Sequence, residues 1–149
     1  MMKKEITLRQ ATPRDTDTVT DLALLLWHGR EALRQEMEAF CTREDAAAFL
    51  ASADDVPVGF AACALRWEYV EGTEQSPAGY LEGIFVAAAF RRCGAAAGLL
   101  RRCEAWAKEK GCAEFASDCE LENEESRLFH AACGFSEVCR TINFAKRLA

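Results

Sequence analysis

No stretch of the sequence is apolar for long enough to span a bilayer, and Met1 to Ala11 begins with charged residues where a secretory signal would carry an apolar block. A membrane partner is therefore not expected, and the cytoplasm is the expected compartment. Histidine is scarce, with His28 and His130 alone, and none of the eight cysteines forms a CxxC pair. These spacings argue against a zinc site and a disulfide framework. No metal is expected, and Cys41, Cys63, Cys93, Cys103, Cys112, Cys119, Cys133 and Cys139 read as reduced thiols, most of them small core hydrophobes. An excess of positive charge is also missing. Eighteen Lys and Arg against 24 Asp and Glu give a net charge of −6, which argues against nucleic acid and suits a cationic ligand. Solubility alone also explains an acidic surface, so the charge is informative only where carboxylates line a site. With no linker, repeat or low-complexity tract, 149 residues of which half are hydrophobic are expected to form one domain over residues 1–149.

What is present alternates strand and helix signals. Glu5 to Arg9 alternates like a strand, and Thr12-Pro13-Arg14-Asp15 reads as a helix start, with Thr12 as cap and Pro13 in the first turn. Val19, Leu22, Ala23 and Leu26 recur at helical spacing, which puts Trp27 near that helix's end, and an acidic helical stretch follows from Glu31 to about Asp45. Ala47 to Ala53 and Val58 to Tyr69 read as a hairpin turning at Asp54-Asp55, and Gly79 to Val86 as an apolar central strand. Leu99, Leu100, Cys103, Trp106 and Ala107 mark the buried face of a helix that stops at Gly111. Glu114 to Ser117 is a short strand, Asn123 to Cys133 a helix closed by Gly134, and Glu137 to Ala145 a final strand. The order is mixed α/β.

The most informative segment is Tyr80 to Leu100, YLEGIFVAAAFRRCGAAAGLL, in which a strand leads through R-x-x-G-x-A into a helix. Such a turn gathers free backbone N–H groups at the positive end of a helix dipole, and so forms a cradle for a diphosphate. Gly94 and Ala96 keep the backbone approachable, while Arg91 and Arg92 add positive charge. An ordinary strand–loop–helix connection explains the six-residue pattern equally well.

The surrounding residues narrow the choice. The IFV strand end, the R-x-x-G-x-A turn, Asn123 and the Cys133-Gly134-Phe135 corner together resemble the GNAT superfamily of acetyl-CoA-dependent N-acetyltransferases. GFAACALRWEYVEG, SPAGYLEGIFV, KGCAEFASD, ENEESRLFHAACGF and LLWHG are similar to segments of the aminoglycoside 6′-N-acetyltransferases, in order and over nearly the whole chain. The resemblance implies the GNAT acyltransferase fold, an α/β (α+β) arrangement whose mixed, mostly antiparallel twisted sheet is flanked by helices and splayed between its fourth and fifth strands. It also implies acetyl-CoA as co-substrate, an aminoglycoside as acceptor, antibiotic resistance as the outcome, and a homodimer using the C-terminal strand region. Two alternatives are a GNAT enzyme acting on a polyamine or a protein N-terminus, and a non-catalytic acyl-CoA-binding module.

By the same resemblance, the backbone of Ile84, Phe85 and Val86 pairs with the pantetheine arm, Arg91, Arg92, Cys93, Gly94, Ala95 and Ala96 hold the pyrophosphate, and Asn123 bonds the pantetheine or thiol region. Cys93 stands where related enzymes commonly carry a basic or polar residue. Glu82 is a lone carboxylate in an apolar strand, a position that costs several kcal/mol unless the charge is paired or near water. It either faces solvent on the alternate face or faces the cleft, where it would bind the incoming ammonium and accept its proton. Asp118 is the second candidate carboxylate, or a turn former. Trp27, Tyr69 and Glu137 complete the implied substrate surface, each with an ordinary packing or surface role as the alternative. His130 occupies the position, four residues before the Gly-Phe corner, where many GNAT enzymes have a tyrosine that protonates the leaving thiolate. It is left as a catalytic acid, a thiol-positioning group or a structural histidine.

Overall fold

The computed structural model describes residues 5–149. Strand β1 (Ile6–Gln10) is followed by a 3-10 turn (Pro13–Asp15), α1 (Thr16–Ala23) and α2 (Arg30–Thr42). Next come β2 (Ala46–Ala53), β3 (Val56–Arg66), β4 (Ala78–Val86), a second 3-10 turn (Ala88–Phe90), α3 (Ala95–Glu109), β5 (Phe115–Ala116) and α4 (Glu124–Ala132). The strands form one sheet in the order β1-β2-β3-β4-β5, antiparallel except for the parallel β4–β5 pair.

Alternation along β2 sets the two layers. Ala47, Phe49 and Ala51 point into a core shared with Leu99, Leu100, Cys103 and Trp106 of α3. Ala48 and Leu50 point the other way, against Val19 and Leu22 of α1 and Leu33 and Met37 of α2. A strand buried on both faces explains why AAAFLASA lacks the polar alternation of a surface strand. The hairpin from β2 to β3 closes through Asp54 and Asp55, at φ of 49° and 63°, the left-handed region that suits a two-residue turn and that Asp tolerates.

One irregularity in β4 decides the geometry of the site. Gly83 pairs with Ala62 and Leu81 with Cys63, so Glu82 has no opposite residue and forms a bulge. The inserted residue reverses the facing of the strand. Leu81 packs in the α3 layer, yet beyond the bulge it is Ile84 and Val86 that do so, while Phe85 joins the α1–α2 layer. On its other side β4 meets β5 only at Gly79↔Phe115 and Tyr80↔Ala116. From Leu81 to Val86 that edge has no strand partner among the described residues, which is the parting of the fourth and fifth strands that the resemblance implied.

Three element predictions are corrected. β3 ends at Arg66 rather than Tyr69, because Arg66↔Ala78 is the last rung of the ladder; beyond it Ser76 Oγ donates to the Trp67 carbonyl at 2.7 Å. α1 ends at Ala23, and Trp27 lies past it in a turn held by Trp27 N–H to Ala23 C=O at 2.9 Å. Glu137 to Ala145 forms no strand. A strand needs a neighbour to receive its backbone groups, and this segment lies exposed without a ladder.

All eight cysteines are free thiols, with Cys41, Cys63, Cys103 and Cys112 buried in the core. Burial pushes the Cys41 and Cys112 thiols up, away from the reactive thiolate form. Among the described residues no helix is long and apolar enough to cross a membrane, and no cluster of His, Cys, Asp and Glu is arranged to hold a metal ion.

Candidate active site

The turn from β4 to α3 is built around two residues in the left-handed region, Arg92 (φ 62°) and Gly94 (φ 85°). Gly94 caps the 15-residue α3, whose first N–H groups lack intrahelical partners. Apart from Gly94 and its two chain neighbours, no atom of the described residues lies within 4 Å of where a Cβ on Gly94 would stand, so the space over the turn is open. Open space beside oriented N–H groups fits an anionic group such as a phosphate. Arg91 is partly committed: its Nε donates to the Val86 carbonyl at 3.0 Å, and its Nη1 lies 3.5 Å from Glu125 at the start of α4. It therefore braces the turn against the strand end. The Cys93 thiol donates to the Phe90 carbonyl, a contact internal to the turn. Asn123 caps α4, its Oδ1 accepting from Ser126 N–H at 3.0 Å, so contact with a ligand falls to its NH2 group.

The second half of the site lies at the bulge. Glu82 is not a lone carboxylate: Arg66 Nε donates to its Oε1 and Arg66 Nη2 to its Oε2, both at 3.0 Å. The same guanidinium lies 3.4 Å above the centre of the Tyr80 ring. Tyr80 in turn donates a short hydrogen bond from its hydroxyl to Asp118 Oδ2. Burial first, and then the Asp118 hydrogen bond, push the Tyr80 pKa well above the ordinary phenol value, so it remains a protonated donor. Partial burial pulls Arg66 down, but the hydrogen bond and charge of Glu82, with Tyr80 and Asp118, outweigh it and the net shift is upward. Trp27 completes this end. A Cβ on Gly83 would come 2.2 Å from its Cη2, so the indole rests on the backbone beside Glu82, edge-on to Phe60 at 6.2 Å between ring centres.

These two halves adjoin one strand, with an open turn that fits an anion beyond its end, and Glu82 at its bulge linked through Arg66 and Tyr80 to Asp118. Residues 16–135 match the model of the acetyltransferase (GNAT) family. The chain belongs to the GNAT acetyltransferase family. This GNAT chain is 39% identical over 145 residues, 97% of its own length and 95% of the other's, to a Stenotrophomonas maltophilia protein named aminoglycoside N(6′)-acetyltransferase type 1. A protein of the same name from Acinetobacter haemolyticus is 42% identical over 124 residues, covering 83% of this chain and 86% of that one. The solved structure of AAC(6′)-Iy in complex with the bisubstrate analog CoA-S-monomethyl-acetylneamine superposes with a TM-score of 0.91 at 37% identity, covering 97% of this chain and 99% of that one.

Within this GNAT fold, Glu82 and Asp118 are joined through Arg66 and Tyr80, and Trp27 lies on Gly83, the next residue along β4 from Glu82. Tyr69 is three-quarters exposed on the loop after β3, its hydroxyl 3.5 Å from Glu71, and Glu137 pairs with Arg140 on the segment after α4. Both therefore bond to neighbours outside the carboxylate cluster. His130 has both ring nitrogens engaged. Nδ1 lies 2.7 Å from the Ser126 carbonyl and Nε2 2.7 Å from Ser117 Oγ, while its ring packs 5.1 Å from Phe135. In the neutral ring the first contact makes Nδ1 the donor, and Nε2 then accepts from the Ser117 hydroxyl. Sequence reading missed Arg66, Tyr80 and Ser117. For Arg66 the available signal was a basic residue inside the strand read as Val58 to Tyr69, with a carboxylate inside the neighbouring strand. Tyr80 stood in the quoted SPAGYLEG segment, two residues from Glu82 and so close enough to share its end of the strand.

Proposed function

We propose that this chain moves the acetyl group of acetyl-CoA to the 6′-amine of aminoglycoside antibiotics by direct attack within a ternary complex. The observation that carries the proposal is the two linked carboxylates, Glu82 and Asp118, held beside a β4 edge that has no strand partner from Leu81 to Val86 among the described residues. Acetyl-CoA, when bound, supplies an activated acetyl thioester. Ile84, Phe85 and Val86 offer backbone groups along that edge to the pantetheine arm. Gly94, Ala95 and Ala96 offer N–H groups to the pyrophosphate, with Arg92 adding charge and Arg91 and Cys93 holding the turn's shape. Asn123 offers its amide NH2 to the arm.

Glu82 accepts a proton from the substrate ammonium, directly or through water, since only the neutral amine is a nucleophile. Asp118 holds a second amino or hydroxyl group of the sugar, and Trp27 supplies an apolar wall for a ring face. Tyr69 and Glu137 belong to the outer rim of this surface. His130, with both nitrogens engaged, acts by fixing Ser117 and the approach to α4, and the departing thiolate takes its proton from water. Acetylation removes a positive charge and a hydrogen-bond donor from the drug, which weakens its grip on ribosomal RNA and confers resistance. We also infer a single domain over residues 1–149 and a homodimer that uses the segment after α4.

Mass spectrometry of kanamycin incubated with the protein and acetyl-CoA tests the assignment. A product carrying one acetyl group on the 6′-nitrogen is expected, and a 6′-hydroxyl analogue should not react. Equal turnover of the two would reject the regiochemistry, and no turnover of any aminoglycoside would reject the substrate class.

A further inference from the structure

We propose that Arg66 is a positioning residue for acetyl transfer, acting through Glu82; the inference rests on the assignment of Glu82 as the carboxylate that meets the substrate amine. Glu82 sits on a bulge, where no opposite residue fixes it, and its side chain has three rotatable bonds. Its carboxylate plane is set by the two 3.0 Å bonds from a single planar guanidinium. Arg66 is set in turn by lying 3.4 Å over the Tyr80 ring, and Tyr80 by burial and by its hydroxyl bond to Asp118. Restraint thus runs from Asp118, after β5, through Tyr80 and Arg66 to the bulge of β4, so both cleft carboxylates are oriented as one unit.

The charges argue for orientation rather than affinity. Two carboxylates and one guanidinium leave the cluster at net −1, so Arg66 cancels half of the negative charge that an approaching ammonium meets. A cleft selected only to bind a polycation would omit it. A cleft that must hold an acceptor oxygen in line with one amine benefits from the fork, because misplacement of about 1 Å is enough to slow a reaction strongly.

Steady-state kinetics with kanamycin on Arg66→Met, Arg66→Lys, Glu82→Gln and the Arg66→Met/Glu82→Gln double variant test this. Arg66 is 43% exposed, so its replacement should leave the fold intact, as circular-dichroism melts would verify. Arg66→Met should lower kcat about ten-fold. Its KM for kanamycin should stay level or fall, because negative charge is uncovered, and its KM for acetyl-CoA should not move. Arg66→Lys keeps the charge without the fork and should fall alongside Arg66→Met. In the Glu82→Gln background, Arg66→Met should bring no further loss. Equal losses in both backgrounds, full rescue by lysine, or a raised KM at unchanged kcat would overturn the positioning role and leave the acetyltransferase assignment standing. Wild-type kinetics in Glu82→Gln would overturn the role of Glu82 and this inference with it, while a wild type that acetylates no 6′-amine would overturn the acceptor assignment as well.

Discussion

Gly83 shows how a single residue can serve packing and the proposed function together. Trp27 reaches β4 from the turn after α1, and only a residue without a Cβ lets its indole lie on the strand beside Glu82. Gly83→Ala should therefore push the indole away, cost about 1–3 kcal/mol of stability as an overpacked site, and raise the KM for aminoglycoside while that for acetyl-CoA holds. Thermal melts with two-substrate kinetics would check this; an unchanged aminoglycoside KM would detach Trp27 from the substrate surface. The Leu-Glu-Gly run was visible in the sequence, and so was the oddity of a carboxylate there. Its partner was not. Arg66 is sixteen residues away, and the pairing depends on the β3–β4 register and on a bulge that periodicity cannot reveal. Tyr80 read as a strand residue for the same reason, since its bond to Asp118 joins positions 38 residues apart.

At the level of elements, legibility followed locality. The Asp54-Asp55 hairpin, the stop at Gly111 and the helix start at Asn123 are each decided within a few residues, and each was readable. The limits of β3 and the fate of residues 137–145 depend on whether a neighbouring strand is available, which the residues themselves do not encode. The β4–α3 turn belongs to the readable group, because R-x-x-G-x-A carries its own geometry. Gly94 sits at φ 85° with open space above it, so its glycine is required by backbone angle and not by crowding from the protein. Gly94→Val should add strain of roughly 1–2 kcal/mol and place a branched side chain in the space proposed for the pyrophosphate. Isothermal titration should then show a large loss of acetyl-CoA affinity, with a circular-dichroism spectrum that remains that of a folded protein. Unchanged affinity would remove the turn from the cofactor site.

At the scale of the whole molecule, the segment after α4 makes few contacts with the other described residues, although Val138 does rest on Gly72. After α4 the chain runs exposed from residue 136 to 149, and it carries Val138 at 60%, Ile142 at 78%, Phe144 at 91% and Leu148 at 89% exposure. Solitary exposed apolar residues are ordinary, but four on one short segment form a surface that water disfavours. Val138, Ile142 and Phe144 also fall on one face at period two within Glu137 to Ala145, the segment read as a strand. Among the described residues the sheet of one copy gives that segment no neighbour, whereas in the proposed homodimer a second copy would supply one and cover the apolar face at the same time. The homodimer proposed above is thus the arrangement in which the sequence pattern and the observed exposure agree. Sedimentation velocity should find the full-length protein dimeric at micromolar concentration, and Ile142→Asp with Phe144→Asp should shift it toward monomer by placing charges on the shared face. Truncation after Phe135 would act in the same direction without relying on new charges. A full-length protein that sediments as a monomer, or a truncated one that remains dimeric, would remove this segment from the interface.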